Sequence, residues 1–418
     1  MAKEIVNIAV IGLGQRGYGL LTSSIFDLYD QGLHVVAVCD VYDDRTKAAA
    51  DIVEKTFGYR PFETTDYRDI LVRDEVDAVV IATAWEAHVD LAIDAMEAGK
   101  YVGLEVGGAY QLKDCWRLVE AYERTGTPCM LLENCCFGKR ETMVLNMVRN
   151  GVFGDIVHCN GAYAHDLRWE ISSGKEIRHY RLRNYIHRNC ENYPTHEIGP
   201  IAKVLDINNG NRFVSLVSVA SCAKGLHEYI VDRKGADHPL ANVQFHQGDV
   251  VTTILKCANG QTVTITLDTT LPRAYSRQFT VRGTKGAYFE DVDGIFLDHV
   301  HDAFELDPRG IWDNAKDYEE EYNHPLWQHY VPHGGHDGMD GLEFEAFLDA
   351  VQSGRKRPPI DVYDAATYMC ITALSEKSIA QGGAVVDFPD FTRGKWYQRD
   401  DIEDHTYNLD RIPTHELY

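Results

Sequence analysis

A glycine-rich turn after the first apolar run constrains this chain more than any other feature. Residues Ile5 to Ile11 form a run of strand length, and Gly12, Gly14 and Gly17 follow with the spacing Gly-x-Gly-x-x-Gly before a helical stretch. Such glycines allow a tight turn, close approach of the backbone to a pyrophosphate, and packing of the helix on the strand. The anion then lies at a helix N-terminus. The pattern predicts a dinucleotide-binding domain.

An acidic residue ends the second apolar run, residues 35–39, at Asp40. In dinucleotide-binding folds this position accepts hydrogen bonds from both ribose hydroxyls of the adenosine half, and its charge repels a 2′-phosphate. The alternative is a glycine-rich turn in an ordinary α/β domain, but it requires the strand, the glycines, the helix and the acid to coincide by chance. We therefore predict an NAD site rather than an NADP site.

Composition narrows the function classes. At 418 residues the chain is too long for one typical core, so two domains are expected. Its net charge of -23 opposes binding to nucleic acid or anionic membranes. The sequence shows no apolar run of membrane-spanning length and no export signal, which predicts a cytoplasmic protein. The ten cysteines lack metal-binding spacing, which predicts reduced, mostly buried thiols with no disulfide framework and no metal.

The order of the predicted elements separates two domains. Strand-like runs at 5–11, 35–39, 77–83, 101–105 and 128–133 alternate with helical stretches, which predicts a parallel Rossmann sheet over residues 1–137. A helix within 138–151 is followed by runs rich in Val, Ile, Thr and Tyr at 156–164, 213–221, 250–257, 261–269, 277–283 and 286–290. We predict an α/β fold whose second, α+β domain spans residues 138–418 and has a large open mixed or antiparallel sheet. Residues 298–335 have weak periodicity and are expected to run over the surface or the active site.

Polar residues at the strand ends are candidates for the site, because ligands of such a sheet lie at the carboxyl ends of its strands. These positions hold Trp85 and His88, then Glu105 and Val106, then Glu133 and Asn134. A strand-end carboxylate can equally cap a helix, and for Glu105 the two interpretations stay open. Glu133 and Asn134 emerge where the two domains meet, which favours a functional role.

Two residues of the second domain suit proton transfer. Tyr193 and His196 lie three apart at a predicted helix entrance, with Pro194 at an early helical position and Thr195 able to cap. An imidazole titrates near neutral pH and can act in both directions. A lone tyrosine or histidine is more often a packed core residue, so the pairing carries the hypothesis.

The chain resembles the Gfo/Idh/MocA oxidoreductase family in its Rossmann start, its domain order and the strand-end Glu105. Within that family, residues 132–136, 161–168, 193–196, 271–276, 361–366 and 389–394 resemble glycoside hydrolase family 109. The resemblance implies a glycosidase that keeps NAD tightly bound and recycles it. We expect the cofactor to contact the glycine turn and Val106. The resemblance implies that it also contacts Arg16, Asp40, Trp85, His88, Glu105 and Asn134. It also implies that the sugar contacts Tyr163, Arg181, Tyr193, His196 and Tyr275, with Glu133 nearby.

Three departures from the family pattern stand out. Simple dehydrogenases of the wider family read Glu-Lys-Pro where this chain has Glu105, Val106 and Gly107, so the lysine that serves the alcohol is missing. Family members commonly carry an export leader, which is absent here. A His-Gly-Gly-Met-Asp-aromatic motif is present with Asp337 and Gly341 at its second and last positions.

The implied mechanism is oxidation of the sugar at C3, loss of the C2 proton, elimination of the C1 substituent, addition of water and re-reduction. We expect His196, or Tyr193 working with it, to take the C3 hydroxyl proton. Tyr163 is the candidate for the C2 proton, helped by Arg181 or His165. Glu133 and Tyr275 are expected to orient the substrate. An ordinary glycosidase needs two positioned carboxylates, and the sequence offers no convincing pair.

Two alternatives share the same pocket. The first is an NAD-dependent sugar dehydrogenase, for instance a 3-dehydrogenase, which releases NADH. The second is a catalytically silent NAD-binding sensor. For the glycosidase, the expected substrate is a small carbohydrate, an N-acetylhexosaminide or related hexoside. A homo-oligomer, dimer or tetramer, is expected by analogy with the wider family.

Overall fold

A computed structural model describes residues 3–107, 109–302, 304, 307–399 and 403–411. Within these residues, the N-terminal part forms a six-stranded sheet of order β3-β2-β1-β4-β5-β6. All neighbouring strands in this sheet pair in parallel, as predicted. The strands are β1 Val6–Ile11, β2 Leu33–Cys39, β3 Phe62–Thr64, β4 Ala78–Ile81, β5 Tyr101–Glu105 and β6 Cys129–Leu132. The sequence pattern missed β3, which is only three residues long.

The central strands of this sheet are buried along their whole length. Every residue of β4, β5 and β6 is buried, and β1 has one partly exposed position. Near-continuous apolar runs of this kind are typical of a parallel sheet covered on both faces by helices. The strand faces are therefore filled, and the carboxyl ends are the part of the sheet left for polar side chains.

Fourteen α-helices occur in the described part of the chain. In chain order they are α1 Gln15–Leu20, α2 Asp43–Phe57, α3 Arg68–Leu71, α4 Trp85–Glu97, α5 Leu112–Thr125, α6 Lys139–Arg149, α7 Arg168–Ser172, α8 Arg181–His187, α9 Thr195–Val204, α10 Gly225–Lys234, α11 Glu319–Tyr322, α12 Pro325–Gln328, α13 Met339–Ser353 and α14 Val362–Ala380. The helix predicted within 138–151 is α6. The proposed Thr195 cap is wrong, because Pro194 occupies the N-cap of α9 and no side chain bonds there.

The second sheet has eight strands in the described part of the chain, in the order β13-β12-β11-β7-β10-β9-β8-β14. Only β7 and β10 pair in parallel within it, so the sheet is mixed. Its strands are β7 Ile156–Ala164, β8 Phe213–Ala220, β9 Val250–Cys257, β10 Thr262–Asp268, β11 Thr280–Gly283, β12 Gly286–Phe289, β13 Gly294–Leu297 and β14 Val386–Asp387. The predicted fold class is confirmed. The sequence pattern did not find β13 and β14.

The chain returns to the Rossmann sheet after the second sheet. In 298–335, the described residues form short helical turns that include α11 and α12. Helix α13 then packs against β1, and α14 packs against α5 and β6. The backbone N–H of Leu131 donates to the carbonyl of Ile360 over 3.0 Å, which ties β6 to the segment before α14. The division at residue 137 stays a prediction.

The ten cysteines are free thiols, and nine of them are buried, with Cys222 exposed. Among the described residues, none of the helices combines the length and the apolar character needed to span a bilayer.

Candidate active site

The glycine turn between β1 and α1 has the shape that a dinucleotide requires. Gly12 has a φ of +94°, and a Cβ atom there would lie 2.6 Å from the carbonyl carbon of Ala82. At Gly17 a Cβ atom would lie 1.9 Å from the Gly12 carbonyl oxygen. Beside Gly14, the nearest atom to such a Cβ is a guanidinium nitrogen of Arg45, 3.5 Å away. Two glycines therefore close the turn, and the third leaves room for a phosphate at the start of the helix.

Asp40 is held at the end of β2 by this turn. Its carboxylate accepts hydrogen bonds from the backbone N–H of Leu13 at 2.7 Å and of Tyr42 at 3.0 Å. Only 7% of the residue is exposed. Each carboxylate oxygen keeps a second lone pair, so Asp40 can still accept from ribose hydroxyls. This arrangement fits the adenosine half of NAD.

Trp85 and His88 leave polar atoms for a ligand at the start of α4. Burial lowers the pKa of His88 to about 4, so the ring is neutral at pH 7. Its Nε2 lies 3.1 Å from the carbonyl oxygen of Thr83 and donates to it, which leaves Nδ1 as an acceptor. That Nδ1 and the indole Nε1 of Trp85 are buried without a protein partner. Because such atoms are costly to leave unpaired, their presence fits a bound group.

Arg16 joins the glycine turn to the ends of β5 and β6. Its Nε donates to Glu105 over 2.5 Å, and its two terminal nitrogens donate to Asp340 over 2.7 and 3.2 Å. Asp340 also accepts from the Asn134 amide over 2.6 Å. We call Arg16, Glu105, Asn134 and Asp340 the Arg16 cluster. Val106, also assigned to the cofactor, is buried directly after β5.

His196 and Glu133 form the central pair of the substrate side. The Nδ1 atom of His196 lies 2.6 Å from Oε1 of Glu133, whose side chain is fully buried. Burial acts to raise the pKa of Glu133, but the charge of His196 and hydrogen bonds outweigh it and lower the pKa. The ionised Glu133 accepts the Nδ1 proton, so Nε2 is the nitrogen that can exchange a proton with a ligand. Glu133 lies behind His196, which assigns it to positioning the imidazole rather than to contact with a sugar.

Two tyrosine rings contact this histidine. Its ring centroid lies 4.8 Å from that of Tyr193 and 5.7 Å from that of Tyr163, and Tyr193 stacks on Trp85 at 5.4 Å. Trp85 thus connects the cofactor residues to the substrate residues. Tyr275 completes the group, half exposed and 6.4 Å from the Tyr163 ring.

Tyr163 can pass its proton to a neighbour. Its hydroxyl lies 3.2 Å from Nδ1 of His165. Burial, followed by the charge of Arg181, lowers the pKa of His165, so the ring is neutral and able to accept. Burial raises the pKa of Tyr163, and Arg181 partly offsets that rise. Arg181 is 8% exposed, and its guanidinium lies 6.0 Å from the Tyr163 ring centroid.

Replacing Arg181 by glutamine is expected to lower kcat about a hundredfold. The loss of the positive charge raises the pKa of Tyr163, so the acidic limb of the pH–rate profile moves to higher pH, by about one unit. Arg181→Lys should keep most of the limb in place because it keeps the charge. Arg183→Gln, an exposed change on the same helix, is the control. An Arg181→Gln profile with an unshifted limb would contradict the assigned role.

Two buried carboxyl groups flank the segment that carries Tyr193 and His196. Glu191 and Glu197 are 0% and 1% exposed, and their carboxyl groups contact each other. Burial raises the pKa of Glu191 to about 8 and also raises the pKa of Glu197, to which the charge of Glu191 adds. Oε1 of Glu191 accepts from the backbone N–H of Tyr193 at 3.3 Å. The pair therefore holds a proton at neutral pH.

Replacing Glu191 by glutamine is expected to flatten the pH dependence of stability. The folded chain binds this proton more tightly than the unfolded chain, so stability is highest below the pKa of an unfolded glutamate and falls as the pH rises toward about 8. Between about pH 5.5 and pH 8 the wild-type Tm should fall several degrees more than that of Glu191→Gln. Thermal unfolding at both pH values measures this, with the exposed Glu228→Gln as control. Identical slopes in the variant and the wild type would exclude a shared buried proton.

A possible metal-ligand group lies within the same site. The ligand atoms of Glu133, Cys135 and His196 lie within 4.8 Å of one another. The Nδ1 of His196 is already hydrogen bonded to Glu133, so the group is accounted for without an ion. We assign no metal to it.

Comparisons with known proteins agree with this geometry. Residues 6–132 match the model of the oxidoreductase family with an NAD-binding Rossmann fold, and residues 137–398 match the C-terminal domain of glycosyl hydrolase 109. An alpha-N-acetylgalactosaminidase from Tannerella forsythia is 41% identical over 400 residues, covering 88% of this chain and 83% of that protein. A glycosyl hydrolase family 109 protein from Stenotrophomonas maltophilia (strain K279a) is 40% identical, covering 95% and 91%. The chain belongs to glycosyl hydrolase family 109.

Solved structures share the fold of this family 109 protein at lower identity. A levoglucosan dehydrogenase in complex with NADH and L-sorbose aligns with a TM-score of 0.68 at 20% identity, covering 93% of this chain and 100% of that one. An inositol dehydrogenase homolog complexed with NAD+ from Azotobacter vinelandii aligns with a TM-score of 0.66 at 17% identity, covering 93% and 98%. These likenesses concern the fold. The resemblance predicted from the motifs is confirmed.

Two of the departures from the family pattern have a structural reason. Gly107 has a φ of +154°, and a Cβ atom there would lie 2.2 Å from the Trp85 ring, so Trp85 leaves no room for a side chain at this position. At Gly341 a Cβ atom would lie 2.4 Å from both the Tyr330 hydroxyl oxygen and the His333 carbonyl oxygen, so these groups leave no room for a side chain there. Asp337 keeps a glycine-like φ of 55°.

The motif at 336–341 also carries residues that sequence reasoning did not assign to the site. Asp340 receives Arg16 and Asn134, and His336 bonds to it through Nδ1 at 2.9 Å. The motif therefore contributes two side chains, those of His336 and Asp340, to the surroundings of Arg16. The motif was visible in the sequence, but the contact between its Asp340 and Arg16 was not.

Proposed function

We propose that this chain is an NAD-dependent glycosidase that cleaves a glycoside by transient oxidation at C3, and that its substrate is an α-linked N-acetylgalactosaminide. The observation that carries the proposal is the His196–Glu133 pair, which lies among Tyr163, Tyr193 and Trp85 next to the dinucleotide turn. Membership of family 109 supports the reaction class, and the printed activity of the Tannerella forsythia relative supports the choice of sugar. The NAD-binding residues described above fit the cofactor, which we propose stays bound through turnover.

The proposed reaction needs two proton transfers, one at the C3 hydroxyl and one at C2, and different residues carry them out. Bound NAD would supply the redox chemistry, accepting a hydride from the sugar and returning it before the product leaves. Nε2 of His196 takes the C3 hydroxyl proton, since Glu133 holds the ring with Nδ1 protonated. The negative charge of Glu133 stabilises the imidazolium that forms. The imidazolium returns its proton when the C3 hydroxyl is restored.

Tyr163 takes the C2 proton once oxidation at C3 has made it acidic. The C2–H electron pair becomes the C1–C2 double bond, and the bond from C1 to the leaving oxygen breaks. Arg181 favours the charged form of Tyr163, and His165 accepts its hydroxyl proton. Water then adds at C1: its hydroxyl bonds to C1, its proton goes to the oxygen of the departed group, and Tyr163 returns the C2 proton. Tyr275, exposed above His165, orients the sugar.

The charges of the site argue against the ordinary two-carboxylate mechanism. That mechanism needs an acid and a nucleophile or base on either side of the glycosidic bond. Glu133 lies fully buried behind His196, and Glu170 pairs with Arg181 at 3.2 Å. Both are already committed to basic side chains.

A panel of nitrophenyl glycosides tests the proposal. The purified protein is assayed as isolated, after removal of its nucleotide, and after NAD is restored, in light and in deuterated water. We expect nitrophenol release from the α-N-acetylgalactosaminide without accumulation of NADH, and deuterium at C2 of the product. Removal of NAD should abolish release, and adding it back should restore it.

Each other outcome identifies a different function. Full-speed cleavage by nucleotide-free protein would refute the redox mechanism. Stoichiometric NADH without nitrophenol would identify a sugar dehydrogenase. NAD binding with no turnover of any sugar would identify a sensor.

A further inference from the structure

The Arg16 cluster has unequal charges. One guanidinium faces two carboxylates, those of Glu105 and Asp340, which are 4% and 1% exposed. Burial acts to raise the pKa of Asp340, but hydrogen bonds and charges from His336 and Arg16 outweigh it and lower the pKa, so Asp340 stays ionised. The fourth member, Asn134, donates a neutral amide. The cluster therefore carries a net negative charge, and its two carboxylates are shielded from water.

Neighbouring groups do not cancel this charge. Glu343, one turn beyond Asp340 on α13, is fully buried with both carboxyl oxygens unpartnered. Burial raises the pKa of Glu343 well above its ordinary value, which favours its neutral form. His336 donates its Nδ1 proton to Asp340 over 2.9 Å from a half-exposed side chain, a hydrogen bond that a neutral imidazole can make. On the substrate side, Glu133 is ionised, so it does not cancel the negative charge of the cluster either.

We propose that the Arg16 cluster keeps the bound nucleotide in its oxidised form by favouring NAD+ over NADH. The cluster joins the ends of β5 and β6, at the carboxyl edge where a doubly wound sheet binds its ligand. The nicotinamide ring is cationic when oxidised and neutral when reduced, so a negative charge nearby stabilises the oxidised ring more. The inference rests on the proposed function, because an enzyme that returns its hydride must begin each cycle with NAD+.

The effect is large enough to measure. A unit charge about 10 Å away, at an effective dielectric constant of about 20, changes an equilibrium constant by about tenfold. Asp340→Asn should therefore lower the preference for NAD+, measured as Kd for NADH divided by Kd for NAD+, by about tenfold, or about 30 mV in the two-electron potential. Arg16→Gln should raise the same ratio by a similar factor.

Titration calorimetry with NAD+ and NADH, without sugar, tests this on the nucleotide-free full chain. The ratio of the two Kd values cancels any loss of general affinity, because both nucleotides share the same pyrophosphate and adenosine. Glu343→Gln is the matched control within the same buried region, and its ratio should equal that of the wild type because Glu343 is already uncharged.

The two variants are expected to change the Kd ratio in opposite directions, which distinguishes an electrostatic effect from a general disturbance of the site. Ratios that stay at the wild-type value in Asp340→Asn and Arg16→Gln, or that move in the same direction in both, would overturn the inference and leave the proposed function standing. Wild-type protein that binds neither nucleotide would overturn both. A shift in Glu343→Gln as large as that in Asp340→Asn would place the effective charge on Glu343 and also overturn the proposal.

Discussion

Replacing His196 by alanine is expected to lower kcat for glycoside cleavage about a thousandfold, with little change in NAD affinity. A buried carboxylate, that of Glu133, sets which nitrogen of this imidazole accepts a proton, through a contact of 2.6 Å with Nδ1. Without it, the C3 hydroxyl has no base, so oxidation cannot begin. Steady-state kinetics and calorimetry with NAD measure the two quantities separately.

Two further variants show whether this is a proton-transfer effect. Glu133→Gln keeps the shape of the side chain but removes its charge, and we expect a loss of ten- to a hundredfold, since the ring loses its preferred tautomer. Cys135→Ala changes a buried side chain next to Glu133 and leaves the hydrogen bond to His196 in place, so it should keep near wild-type activity. If His196→Ala retained more than about a tenth of kcat, another base would have to be sought.

Replacing Tyr163 by phenylalanine is expected to lower kcat for glycoside cleavage about a thousandfold. Oxidation of the sugar at C3 should remain intact. The hydroxyl is the group that takes the C2 proton, and the C3 proton belongs to His196. Mixing the variant with substrate should therefore produce a single burst of NADH absorbance without nitrophenol. In deuterated water, the sugar recovered from the variant should carry no deuterium at C2.

Tyr275→Phe serves as the comparison for this variant. Tyr275 is half exposed and lies 5.1 Å from His165, so losing its hydroxyl should raise KM by a few-fold and leave C2 exchange in place. Deuterium at C2 in sugar recovered from Tyr163→Phe would assign the proton transfer to another group. A loss of the NADH burst as well would mean that Tyr163 acts at the oxidation step.

The sequence predicted most of the fold because its signals are local. Apolar runs bounded by turns predicted five of the strands in the first sheet and six in the second, and the glycine spacing predicted the dinucleotide turn. Of the strands that it missed, β3 and β14 have three and two residues, too few positions to show a pattern, whereas β13 has four residues, as many as the predicted β11 and β12. The predicted cap at Thr195 failed for a related reason, because one residue's capping ability does not decide where a helix begins.

The candidate site was predicted as a set of residues but not as an arrangement. Strand-end position and family motifs selected Glu133, His196 and Arg16 as candidate site residues, and their roles stay predictions. The sequence treated Glu133 as a substrate contact, whereas its carboxylate lies behind His196. Asp340 was visible only as part of a motif, and its contacts with the cofactor side were not foreseen.

The primary sequence determined the parallel sheet, the turn at Gly12 and the family, since each depends on residues close together along the chain. Only the tertiary structure decided that Glu133 meets His196 across 63 residues and that Asp340 meets Arg16 across 324. Such contacts depend on how the two sheets and α13 pack, and chain separation carries no information about that packing. The charges that orient the histidine and surround the nucleotide site therefore arise from folding of the whole chain.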